Sequence, residues 1–180
     1  KLHEKVSFRA FVRANLMTEE VVRTMKATNF TLVRFGAETG SEELLKQIKG
    51  ANVSIEDAQR TIDLAHKYKI PSSGSFMFGI PGETKADLDI TFNFLKRNKK
   101  KSFKIEGFYA MIPFHGTEMH KIAKEKGLLP NDEDLDFTRF NPAMLNKSFT
   151  WDRYIYLNEE NIPFGEFKQI MKKFQKEYGP

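Results

Sequence analysis

Short apolar segments suited to β-strands recur along this chain, and most run straight into a capped helical pattern. That alternation marks β/α units around a parallel sheet, because parallel strands need a long crossover to return to the same side. The first segment covers residues 7–13. Thr18 then reads as the N-cap of a helix, with Glu19 and Glu20 at the positive end of its dipole and Met17 placed to staple onto Val22. The second strand, 32–36, leads through Ala37-Glu38-Thr39-Gly40 to a short helix capped by Ser41 and stopped at Gly50. A longer helix begins after Ser54 and buries Ile55, Ala58, Ile62 and Ala65 on one face. The third strand, 73–78, enters Gly79-Ile80-Pro81-Gly82-Glu83-Thr84, where Pro followed by Gly suits a type II turn. Thr84 and Asp87 then make a capping pair for a helix buried through Leu88, Phe92 and Leu95. A fourth strand, 105–112, is followed by a helix capped by Thr117. Beyond Gly127 the pattern becomes irregular, with Pro130, an acidic stretch over 132–136 and Pro142. A last amphipathic helix covers 164–178, anchored by Phe167, Ile170, Met171 and Phe174.

Successive strand side chains point to opposite faces, so each strand divides into two sets. Phe8, Ala10 and Val12 oppose Arg9, Phe11 and Arg13; Val33 and Phe35 oppose Arg34, Gly36 and Glu38; Phe76 and Phe78 oppose Ser73, Ser75 and Met77. A parallel sheet covered on both faces would be apolar on both. This one is polar on one face, which predicts helices on the other only and a concave, ligand-holding surface, as in a barrel or part of one. Sites in such folds gather at the carboxyl ends of the strands, where Arg13, Glu38, Gly79 and Pro113 fall. The alternative for Arg9 and Arg13 is an edge strand whose arginines meet water.

With 180 residues the chain suits one domain, and its net charge of +5 permits an anionic substrate or nucleic acid. The basic runs around 96–101 and 172–176 read first as solvated helix ends and faces, so nucleic acid is allowed but not favoured. No apolar run approaches the roughly 20 residues of a membrane-spanning helix, and a signal-peptide core is absent. The expected location is therefore cytoplasmic, with no membrane partner. Cysteine is absent, which removes disulfides and thiolate ligands from these residues. His3, His66, His115 and His120 are scattered, so neither a metal cluster nor a nucleophilic triad is assigned.

Three segments carry a family likeness: Phe35-Gly36-Ala37-Glu38-Thr39-Gly40-Ser41-Glu42-Glu43-Leu44-Leu45-Lys46, Phe76-Met77-Phe78-Gly79-Ile80-Pro81-Gly82-Glu83-Thr84, and Pro113-Phe114-His115-Gly116-Thr117-Glu118. In order and spacing they resemble the radical S-adenosylmethionine (SAM) superfamily, in particular its cobalamin-associated and methylthiotransferase-like branch. The resemblance implies an α/β fold: a parallel, partial TIM-like barrel, of which this chain supplies about strands three to six of six. The barrel would cover 1–128, with 129–180 as an irregular segment and a C-terminal helix packed on it.

The same resemblance implies SAM and a [4Fe-4S] cluster as cofactors, the cluster held by three cysteines in a loop upstream of Lys1. That placement fits a chain that lacks both cysteine and an initiator Met. The implied activity of the parent is reductive cleavage of SAM to a 5′-deoxyadenosyl radical that modifies an unidentified substrate, with the fragment itself inactive. It allows cobalamin in the full-length protein and implies a reductant protein such as flavodoxin or ferredoxin. By position, Glu38 resembles the acidic residue that holds the cofactor's ribose hydroxyls or ammonium, a role suited to an acceptor-only carboxylate. Arg13 and Arg34 resemble barrel-lining arginines that meet a carboxylate, and Ser75 a hydrogen-bonding group. Gly79, Pro81 and Gly82 would form the loop where backbone approaches the adenosine. Phe114 and His115 depart from the family pattern, in which tyrosine and proline are commoner. The competing expectation is a complete, non-enzymatic α/β module that binds a nucleotide or acidic ligand.

Overall fold

The computed structural model describes residues 5–129 and 155–178. Within them lie four strands, β1 (Phe8–Phe11), β2 (Phe30–Glu38), β3 (Ser72–Phe78) and β4 (Phe103–Ala110), in one sheet of order β1-β2-β3-β4. β1 pairs with β2, and β2 with β3, in parallel. The crossovers are α1 (Glu19–Ala27), then α2 (Glu42–Lys49) with α3 (Ile55–Lys67), then α4 (Lys85–Asn98). After β4 come α5 (Glu118–Glu125) and α6 (Phe164–Tyr178). The chain divides into two compact units, one of Lys1–Phe76 with Lys85–Gly107, the other of Met77–Thr84 with Phe108–Gly179.

In the first unit the helix starts follow their capping chemistry. The Thr18 hydroxyl accepts from the Val21 amide, and Ser54 and Asp57 form a complete reciprocal capping box. Met17, Val22, Met25, Val33 and Ile70 form one buried cluster, which places the Met17 staple beside Val22. The covered face of the sheet is aromatic, with Phe35 against Phe103 and Phe76 against Phe94. Ser41 stands at the N-cap of α2 without a side-chain capping bond. Instead, the Glu42 carboxylate accepts from the Ile55 amide, so the start of α2 holds the start of α3.

Gln59 of α3 and the fully buried Asn98 of α4 exchange two amide hydrogen bonds of 2.9 and 3.0 Å, and Asn98 also donates to the Phe94 carbonyl. Truncating Asn98 removes these three buried hydrogen bonds, while the Gln59 amide keeps its bonds to Asp63 and Arg97, so Asn98→Ala is expected to cost about 2 kcal/mol in urea unfolding. A midpoint within experimental error of wild type would show that the pair is not structural.

In the second unit α6 lays Phe167, Met171 and Phe174 inward, and Phe174 meets both Phe78 and Phe108 edge-on. Thr117 caps α5 by accepting from the His120 amide, as its position predicts. Pro81 and Gly82 make the expected turn: the Glu83 amide donates to the Ile80 carbonyl at 2.9 Å, and Gly82 has φ 86°.

The strand ends differ from the sequence reading. β1 stops at Phe11, short of Arg13, because the Arg13 carbonyl accepts from the Leu16 amide and starts a 3₁₀ turn over Ala14–Leu16. β2 runs longer than 32–36, and β4 is shifted two residues toward the N-terminus. The acidic stretch at 132–136 and Pro142 lie outside the described residues. Among the described residues no helix is long and apolar enough to cross a membrane.

Candidate functional site

β2 carries the alternation that builds the site. Val33, Phe35 and Ala37 are buried on the helix side, whereas Arg34, Gly36 and Glu38 are only partly buried. At the carboxyl end the register slips between Gly36 and Glu38, and Glu38 takes the left-handed conformation with φ 61°. A residue with a side chain adopts that region only when its surroundings hold it there. Here the carboxylate folds back over Gly36: a Cβ at position 36 would lie 2.2 Å from Glu38 Oε1 and 3.1 Å from Lys49 Nζ. Lys49, in the last turn of α2, grips Oε1 at 2.7 Å. The glycine is therefore the space that the carboxylate occupies.

The loop that follows is anchored from α4. Thr91 Oγ1 accepts from the Gly40 amide at 2.9 Å and lies 3.2 Å from the Thr39 hydroxyl, which itself accepts from the Ser41 amide. Thr39 and Thr91 are buried. These bonds fix the backbone on the far side of Glu38, so strand, loop and helix together set where its carboxylate stands.

Closer to the start of β2, Arg34 meets Glu106 of β4 at 3.0 Å, and the Ser73 hydroxyl bonds the same carboxylate at 3.1 Å. The Arg34 guanidinium also lies over the Phe11 ring, 5.4 Å from its centroid. Its Nε is buried and has no acceptor among the described residues. A donor so placed lacks a partner that an anionic group could supply. Ser75 pairs in register with Gly36, one step along β3 from the Ser73 layer, and is partly buried. Arg13 is exposed and makes no side-chain ion pair among the described residues. Glu38, Gly36, Ser75 and Arg34 thus share a stretch of neighbouring strands, while Arg13 lies beyond the end of β1.

In the second unit the loop after β3 is held by polar contacts of its own. Gly79 has φ 75°, and its amide donates at 2.8 Å to the carboxylate of the fully buried Glu83. Gly82 is exposed, and space around it is open to 4 Å. Loop backbone at such a place can approach a ligand without steric cost.

Sequence reasoning placed Ser73 on the polar face but missed Lys49 and Glu106 as the partners there. Lys49 had a signal, since it is a basic residue in the last turn of the helix that the Glu38 loop opens. Glu106 had less, because the burial alternation of β4 breaks where Gly107 and Phe108 are both buried. Among the described residues no group of three or more His, Cys, Asp or Glu could hold a metal ion.

Comparison with known proteins identifies the family and the fold. The family model described as the Radical SAM superfamily matches residues 2–95. An uncharacterized methyltransferase of Pyrococcus horikoshii is 29% identical over 145 residues, which span 81% of this chain and 31% of that protein. Cytidylyl-2-hydroxyethylphosphonate methyltransferase of Streptomyces wedmorensis is 22% identical over 168 residues, spanning 83% of this chain and 31% of its own length. The chain therefore spans about a third of these curated relatives. Among solved structures, the radical SAM methyltransferase TsrM of Kitasatospora setae, with tryptophan and a SAM analogue bound, superposes with a TM-score of 0.57 at 20% identity. That match covers 70% of this chain and 24% of TsrM. Elp3 of Methanocaldococcus infernus gives 0.54 at 23% identity, over 67% of this chain and 28% of that one. At these identities the likeness is one of fold, and the fold is the open β/α sheet of a partial barrel.

Proposed function

Because this chain belongs to the radical SAM superfamily, we propose that it forms part of the catalytic barrel of a cobalamin-associated radical SAM methyltransferase. The observation that carries this reading is the Glu38 carboxylate, set over Gly36 by a left-handed backbone and gripped by Lys49. An ionised carboxylate accepts several hydrogen bonds, so one ammonium at Oε1 leaves capacity for the ribose hydroxyls or the amino group of SAM. Methyl transfer is supported by the names of the relatives above, and cobalamin by a second TsrM structure that holds cobalamin and a [4Fe-4S] cluster.

The residues present suit SAM as a ligand. Glu38 supplies the acceptor, and Ser75 lies one strand over at the level of Gly36. The orphaned Arg34 Nε–H supplies a donor for a carboxylate of cofactor or substrate. By the family resemblance alone, Gly79, Pro81 and Gly82 of the second unit would offer backbone to the adenosine. SAM bound with a [4Fe-4S] cluster supplies one-electron carbon–sulfur cleavage; the chain's own part is to bind, orient and shield. The cluster's cysteines would come from outside these residues, since the chain has none. A small electron carrier such as flavodoxin or ferredoxin would reduce it. The reading includes a cytoplasmic location, where thiols remain reduced.

The test uses the full-length protein, purified and reconstituted without oxygen. On reduction it is expected to give a [4Fe-4S] electron paramagnetic resonance signal that changes shape when SAM is added, and to form 5′-deoxyadenosine. An unchanged spectrum with no turnover of SAM contradicts the reading.

A further inference from the structure

The second unit contains a polar clamp that the SAM contacts do not use. Asn158, outside any helix or strand, is 1% exposed. Its Oδ1 accepts from the Gly82 amide at 3.0 Å and its Nδ2 donates to the Glu83 carbonyl at 2.5 Å. One side chain thus pairs with the backbone on both sides of the Gly82–Glu83 junction. Asn161 steadies it by donating to the same Oδ1 at 2.9 Å, and the Ile162 amide bonds back to the Asn158 carbonyl.

Around it the segment is packed without slack. Tyr156, Leu157 and Ile162 are buried, and the Tyr156 hydroxyl donates to the Ile162 carbonyl at 2.9 Å. Tyr156 stacks on Phe167, which ties the segment to α6. Burial, with the negative charge of Glu83 second, pushes the Tyr156 phenol well above its ordinary range and keeps it a neutral donor. On the other side, Glu83 holds the Gly79 amide. Both ends of the turn are therefore fixed, Gly79 by Glu83 and Gly82 by Asn158, although the glycines would leave a free loop mobile.

We propose that Asn158 is a positioning residue for SAM, setting the backbone of the 79–83 turn from a segment more than seventy residues downstream. This rests on the reading that the turn faces the adenosine. A turn held in its bound geometry loses little freedom when ligand arrives, and one released must be ordered by the ligand itself.

The experiment measures SAM affinity on the cluster-loaded full-length protein by equilibrium dialysis, beside amide hydrogen exchange at the turn. Asn158→Ala is expected to weaken SAM binding about tenfold and to speed exchange at Gly79 and Gly82. Asn158→Asp keeps the acceptor toward Gly82 and loses the donor toward Glu83; it is expected to weaken binding at least about threefold, and serves if alanine prevents folding. Met171→Ala, a buried change in α6, controls for general destabilisation and is expected to leave affinity within about twofold. Affinity unchanged in both Asn158 variants, or lost equally in Met171→Ala, overturns the proposal. A wild-type protein that binds no SAM overturns the functional reading beneath it, and this proposal with it.

Discussion

Glu38→Ala in the full-length protein is expected to weaken SAM binding about 100-fold while barely moving the thermal midpoint. The loss follows from removing a charged acceptor: each hydrogen bond to an ionised group contributes about 1.5–3 kcal/mol, and 1.4 kcal/mol is a factor of ten in affinity. Stability changes little because the Lys49 pair is partly exposed, with side-chain exposures of 36% for Lys49 and 14% for Glu38. Such pairs contribute about 0–1 kcal/mol. Alanine meets the same left-handed backbone penalty as glutamate, so no strain is added. Glu38→Gln keeps the shape and one acceptor and should fall between, about tenfold weaker. Calorimetric titration with SAM separates the three proteins.

Gly40→Ala is expected to do the reverse, costing about 3 kcal/mol of folding stability. A Cβ at Gly40 would stand 2.6 Å from Thr91 Cα, 3.0 Å from Thr91 N and 3.1 Å from the Ile90 carbonyl oxygen. All three are backbone atoms of α4, so no side chain can swing aside, as the Glu38 carboxylate could for a change at Gly36. The displaced loop would also strain the bonds from Gly40 and Thr39 to Thr91. A urea-unfolding midpoint equal to wild type would show that the loop does not pack on α4 as described.

The sheet and its polar face were legible because their signals are local. Thr18 and Thr117 each announce a helix start by hydroxyl chemistry and do cap one, whereas Ser41 stands at the start of α2 without a capping bond. The two-residue alternation of β2 separates Arg34, Gly36 and Glu38 from Val33, Phe35 and Ala37 without reference to any other strand. Pairings between distant segments were not legible. Lys49 with Glu38, Glu106 with Arg34, and Asn158 with Gly82 join residues whose spacing carries no period. Arg13 shows a second limit. Its phase along β1 matches that of Arg9 and Phe11, yet the 3₁₀ turn at Ala14–Leu16 ends the strand first. Alternation reports a face only while the chain stays extended.

The motif around Glu38 shows how far each level of reasoning reaches. Sequence named the carboxylate, but not why a glycine stands two residues before it. The structure supplies the reason, since the side chain lies where a Cβ would be. The glycine and the acid are one device, in which absent volume sets the position of a charge.

That coupling is best measured by a double-mutant cycle of Gly36→Ala and Glu38→Ala, read as SAM affinity in the cluster-loaded full-length protein. If the carboxylate is placed by the empty space at Gly36, Gly36→Ala alone should reproduce most of the Glu38→Ala loss, and the double variant should bind no worse than Glu38→Ala. Wild-type affinity in Gly36→Ala, or losses that simply add in the double variant, would contradict the placement of Glu38 as the cofactor's acceptor.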